Sequence, residues 1–102
     1  MSKLNGKWYL TIKTYIGDIR TLAELTVEGS GVVGIVTDLG NGNTAKIKDG
    51  KVDGENFSYN VTIKTPVGKL TNYVAGSYNA DDTLSGKSNN TLGEFDFIAT
   101  RA

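Results

Sequence analysis

Residues 5–17 read NGKWYLTIKTYIG, and residues 56–68 read NFSYNVTIKTPVG. The second stretch starts 51 residues after the first, half the 102-residue length of the chain. Asn5 matches Asn56, Trp8 matches Tyr59, Leu10 matches Val61, and Thr11-Ile12-Lys13-Thr14 recurs unchanged as Thr62-Ile63-Lys64-Thr65. Ile16 and Gly17 then align with Val67 and Gly68. Inside each stretch apolar and polar residues alternate, the period of a strand with one buried face, and the glycine that follows supplies turn chemistry. Each half of the chain therefore opens with the same strand and the same turn. We read a single domain, residues 1–102, built of two repeat halves at about 1–51 and 52–102.

Working outward, the first strand covers about 7–15, with Trp8, Leu10, Ile12 and Thr14 inward and both lysines outward. The second covers about 19–28, with Ile19, Thr21, Ala23, Leu25 and Val27 inward. A third at about 32–38 is apolar on both faces, which leaves its inward register open. The LGNGN segment that follows carries Asn-Gly, a strong hairpin signal. A short fourth strand at 44–48 is expected to turn Ala45 and Ile47 inward, and 49–56 reads as a longer turn holding two Asp-Gly pairs. The fifth and sixth strands, about 57–64 and 69–79, repeat the first two. They place Phe57, Tyr59, Val61 and Ile63 inward, then Leu70, Asn72, Val74, Gly76 and Tyr78. A weak, polar seventh at 83–88 and an eighth at 94–101, with Phe95, Phe97, Ala99 and Arg101 in phase, complete the set.

Tight turns join all eight, and none is long enough for a parallel crossover. The pattern predicts an all-β chain folded as one eight-stranded antiparallel up-and-down barrel, whose closure removes exposed edges. A two-sheet sandwich is the alternative. Eight strands enclose an interior that side chains fill, or that holds one small ligand.

Composition narrows the chemistry. There is no cysteine and no histidine, which removes disulfides, thiolate nucleophiles, the commonest metal ligand and any Ser-His or Cys-His arrangement. Eleven basic residues balance eleven acidic ones and are scattered, so no basic footprint for nucleic acid forms. No segment has membrane-spanning length or signal-peptide character, which predicts a cytoplasmic protein. Asp49, Asp53 and Glu55 do not follow calcium-loop spacing, and Gly40-x-Gly42 precedes no helix. No metal or cofactor is implied.

The Gly6-x-Trp8 pattern on the first strand, with Arg101 ending the last, resembles the calycin superfamily of lipocalins, fatty-acid-binding proteins and avidins. That resemblance implies an arginine packed across the tryptophan, closing one barrel end. The stretches Asp49-Gly50-Lys51-Val52-Asp53-Gly54, Leu84-Ser85-Gly86 and Gly93-Glu94-Phe95 through Ala99-Thr100-Arg101 look like a small bacterial lipocalin-like domain, also found appended to hydrolases. Lipocalins proper are longer and carry a helix after the barrel.

The turns sort by barrel end. One end gathers the termini and polar turns; the other gathers the apolar tips Tyr15-Ile16, Leu39, Pro66-Val67 and Leu92. Just inside that rim the inward positions become partly polar at Thr14, Thr65, Thr21 and Asn72, above Ile12, Ile63, Leu25, Val74, Phe95 and Phe97. An apolar space with a few convergent polar groups is the usual form of a small-molecule site. These ten residues are the candidate ligand contacts, and the competing reading is a filled barrel whose threonines and Asn72 bond one another or trapped water. A binding module for an apolar or weakly polar small molecule is the first functional expectation. The second is an accessory domain that self-associates or docks on an enzyme, with a homodimer through outward Tyr9, Leu22 and Tyr73. The third is a barrel isomerase or cyclase, for which Tyr59 and Tyr78 are the available acids or bases.

Overall fold

The alternation that opens the chain becomes the first strand of a closed sheet, Gly6–Thr14. The computed structural model describes residues 3–15, 17–65, 68–91 and 93–102. Their strands are β1 (Gly6–Thr14), β2 (Gly17–Glu28), β3 (Gly31–Asp38), β4 (Thr44–Lys46), β5 (Lys48–Asp53), β6 (Asn56–Thr65), β7 (Gly68–Tyr78), β8 (Thr83–Asn90) and β9 (Gly93–Arg101). Neighbours run β2-β1-β9-β8-β7-β6-β5-β3, and β3 pairs back onto β2, so the sheet closes. β4 also pairs with β3, and together with β5 it makes one strand interrupted at Ile47. The architecture is an eight-stranded antiparallel up-and-down barrel. The ring is continuous, which excludes the sandwich. Among the described residues no helix is long and apolar enough to cross a membrane.

The two matching hairpins share one register. In β1–β2 the last rungs are Lys13↔Asp18 and Thr14↔Gly17; in β6–β7 they are Lys64↔Lys69 and Thr65↔Gly68.

The segment 49–56 differs from the expectation of a long turn. Strand β5 continues to Asp53, and only Gly54 and Glu55 turn the chain. Asp49-Gly50 instead forms an irregularity, where the β5–β6 register shifts between Lys48 and Lys51 and Asp49 takes a φ of 53°. The reason is geometric. β5 must bond β3 on one side and β6 on the other, and Gly50 lies so close to β3 that a Cβ there would meet the Val32 oxygen at 2.0 Å. A bulge fits that approach, with glycine at its tightest point.

The open register of the third strand resolves with Val32 and Val36 buried and Val33 and Ile35 outside. The core then runs down the barrel through Trp8, Leu10, Leu25, Phe57, Tyr59, Val61, Val74, Leu84 and Phe97. Gly76 leaves the room that the Phe57 and Phe97 rings occupy, since a Cβ there would stand 2.8 Å from one ring and 3.1 Å from the other.

Candidate functional site

The two barrel ends are built differently. At one, the Arg101 guanidinium lies 3.9 Å from the centre of the Trp8 ring. It donates to the main-chain oxygens of Asn5 (2.7 Å) and Lys3 (2.8 Å) and to the Asp82 carboxylate (2.8 Å). Trp8 Nε1 donates to the Leu4 oxygen, and Asn5 Oδ1 accepts from the Val27 N–H, so the segment before β1 is folded over this end and tied to β2. Tyr78 adds an edge-on ring to Trp8 and donates its hydroxyl to Asp82. Arg101 holds the Asp82 carboxyl below its ordinary range, chiefly through its hydrogen bonds, and Tyr78 contributes by the same means. This end is plugged.

At the other end the chain encloses a cavity of about 340 Å3, lined by Ile12, Thr14, Tyr15, Ile19, Thr21, Asp38, Ile63, Leu70, Asn72, Asn90 and Phe95. At about 30 Å3 per molecule in liquid water, that is room for on the order of ten waters. The elements place these groups by strand alternation. Ile12 and Thr14 lie in phase with Trp8 on β1, and Asn72 lies in phase with Val74 on β7. Asn72 is buried, and its oxygen accepts from Asn90 Nδ2 at 2.9 Å. The Asn72 amide nitrogen makes no hydrogen bond to a described residue. The Tyr15 ring stands edge-on over Phe95 with centroids 5.3 Å apart, although Tyr15 itself is largely exposed.

Of the ten candidate contacts, Ile12, Thr14, Thr21, Ile63, Asn72 and Phe95 line the cavity. Leu25, Val74 and Phe97 lie away from its wall, in the buried core. The Thr65 side chain lies outside what the structure describes, as do the rim residues Ile16, Pro66, Val67 and Leu92; Leu39 is exposed. Ile19, expected inward, is 40% exposed at the mouth because the end of β2 projects beyond the barrel body.

The register of β3, open in the sequence, also brings a carboxylate to the cavity. Asp38 follows the phase of Val32 and Val36 and reaches the cavity, where one of its oxygens accepts from the Gly40 N–H at 2.7 Å. Asn90 is also additional, brought in by its phase with Leu84 and Ser88 on β8. Neither tyrosine proposed as an acid or base lines the cavity. Burial pushes the Tyr59 hydroxyl far above the ordinary tyrosine range, and Tyr78 belongs to the plugged end.

On the outer wall Tyr9 and Leu22 are direct cross-strand partners, with exposed Ile98 beside them on β9. Tyr73 stands on β7, three strands away around the barrel, so the expected trio does not form one patch. Among the described residues no group of three acidic side chains is placed to hold a metal ion. No protein-family model, curated protein or solved structure matches this chain.

Proposed function

We propose that this chain is a binding module for a small apolar or weakly polar molecule, taken up at the rim where the β1–β2, β3–β4, β6–β7 and β8–β9 turns gather. The observation that carries the reading is the unequal treatment of the two ends. One is sealed by Trp8 and Arg101, and the other opens onto a cavity of about 340 Å3 with mostly apolar walls. That volume lies within the usual range of ligand pockets, roughly 300–1,000 Å3. The Asn72 amide nitrogen supplies a fixed donor in those walls, which favours a ligand with one hydrogen-bond acceptor such as a carbonyl oxygen. The likeness to calycin barrels supports the same reading through Gly6, Trp8 and Arg101.

Prodan, a neutral fluorophore with an apolar ring system and one carbonyl, is a suitable probe. Titration with the protein is expected to shift its emission to the blue and to saturate. Ile63→Phe, which grows a half-buried wall residue into the space, is expected to weaken binding about tenfold or more, the scale of one lost favourable contact. Emission that stays at its aqueous position at every protein concentration would remove the reading.

A second reading, an accessory domain that docks through its outer wall, has Tyr9, Leu22 and Ile98 in its favour, adjacent on β1, β2 and β9. Sedimentation across a concentration series tests its self-association form.

A further inference from the structure

The barrel wall has a seam that the strand ladders leave open. β5 pairs with β6 only as far as Lys48↔Asn60, and beyond that rung no ladder joins β4 to β6. The hydrogen bonds Ile47 N→Gly34 O and Asp38 N→Asn43 O turn the odd-numbered residues of this strand toward β3. The main-chain groups of Thr44 and Lys46 therefore point the other way, into the seam. The bond Tyr78 N→Glu55 O likewise turns the odd residues of β6 toward β7, leaving those of Thr62 and Lys64 to face the seam. A cleft of about 730 Å3 lies here, and Lys46, Lys48, Lys64 and Lys69 line it.

Among the described residues none of these four lysines forms an ion pair with a carboxylate; the pairs found there are Lys7–Glu24, Lys13–Asp18, Lys87–Asp96 and Arg101–Asp82. The two matching hairpins differ in charge at one rung. In the first, Lys13 stands opposite Asp18 and pairs with it at 3.9 Å. In the second, Lys64 stands opposite Lys69, two like charges directly across a rung, which is unfavourable without an anion between them. Lysine on an open strand edge also discourages pairing with another chain. That role accounts for Lys46 and Lys64, but it does not call for a second lysine where the counterpart hairpin has aspartate.

We infer that this cleft binds a small multiply charged oxyanion, a phosphate- or carboxylate-bearing molecule. It is held by the ammonium groups of Lys46, Lys64 and Lys69 and by main-chain N–H groups of the two unpaired edges. Ammonium donors and edge N–H groups aimed at one space are the chemistry that recognises such anions. The four lysines stand at the outer face of the wall, while the cleft reaches inward to Val36, Ala45 and Ile63 and adjoins the apolar cavity at Ile63. Anion binding by the lysines does not depend on the function proposed for that cavity.

The test is titration of the isotopically labelled protein with inorganic tripolyphosphate and, separately, with citrate, which distinguishes phosphate from carboxylate. Saturable amide shifts confined to residues 44–48, 62–64 and 69 are expected for at least one of the two. Lys69→Asp recreates the ion-paired rung of the first hairpin, so it is expected to fold, and it should weaken binding about tenfold or more. Lys46→Thr, on the other edge, should weaken it as well, and prodan binding should be unchanged in both. Shifts spread over all lysines without saturation would overturn the inference, as would unaltered affinity in both variants. Binding to polyglutamate but to neither small anion would overturn it too and make the partner an acidic protein segment.

Discussion

Arg101 shows how much one side chain can organise. It covers the face of Trp8, takes up the oxygens of Lys3 and Asn5, and pairs with Asp82. Arg101→Ala leaves those carbonyls to water and uncovers the ring, and a loss of about 1–2 kcal/mol in denaturant unfolding is expected. Asp82 makes the same knot pH-dependent. Its carboxyl is held below the ordinary value first by the hydrogen bonds from Arg101 and then by that from Tyr78. A carboxylate depressed in the folded state contributes stability above its unfolded value, about 3.9. That contribution is lost as pH falls through the folded value. Wild type is therefore expected to be more stable than Asp82→Asn at neutral pH, with the difference closing below about pH 4. Parallel curves from pH 7 to 2 in urea titrations would contradict this. Trp8 and Arg101 stand out in the sequence because a closed meander must bring its first and last strands together. Lys3, Asn5 and Asp82 do not, since their part depends on how the segment before β1 and the β7–β8 turn fold back over the ring.

Between matching elements, volume is redistributed and register is kept. The rung Gly6↔Leu25 in β1–β2 corresponds to Phe57↔Gly76 in β6–β7, so each hairpin sets one large residue against one glycine, in opposite order. Gly76 cannot gain even a methyl group freely, because the Ser85 main-chain oxygen and the Phe97 and Phe57 rings already fill the space. Gly76→Ala is expected to cost about 1–3 kcal/mol by overpacking. Phe57→Leu in the same chain should relieve part of that cost, so the double mutant should be more stable than the two single effects predict. Additive losses in thermal unfolding would show that the strain lies in the backbone. Alternation also explains which cavity residues the sequence could place. Ile12, Thr14, Thr21, Ile63 and Asn72 sit on strands with one clearly apolar face, so their direction follows from period two. Asp38 and Asn90 sit on β3, apolar on both faces, and β8, polar on both, where only the ladder settles the phase. Of the two Asp-Gly pairs, Asp53-Gly54 does mark the turn, whereas Asp49-Gly50 lies inside β5 for a related reason. Asp-Gly marks a left-handed backbone step, and a bulge within a strand needs that step as much as a turn does.

At the scale of the whole molecule, closure depends on the contact most distant in sequence. β1 meets β9 from Trp8↔Arg101 to Ile12↔Phe97, and that ladder forms only when the two ends of the chain find each other. The β5–β6 join is local but weaker in construction, since its register shifts and it stops at the seam. The Arg101 contact to the Lys3 oxygen shows that the two ends are already within side-chain reach. A circular permutant that joins them by a short Gly/Ser linker and opens at Gly54-Glu55 would convert the long-range ladder into a local one. It would make a shorter ladder non-local in exchange. The cut falls in an exposed turn outside the strands, where chain breaks are tolerated. Folding rates rise as contacts become more local, so the permutant is expected to fold several-fold faster than the parent. Trp8 sits on the ladder in question, and its fluorescence in stopped-flow refolding reports the event directly. A permutant that folds no faster would mean that β1–β9 pairing comes after the rate-limiting step, and that the β6–β7 hairpin and its neighbours form the nucleus.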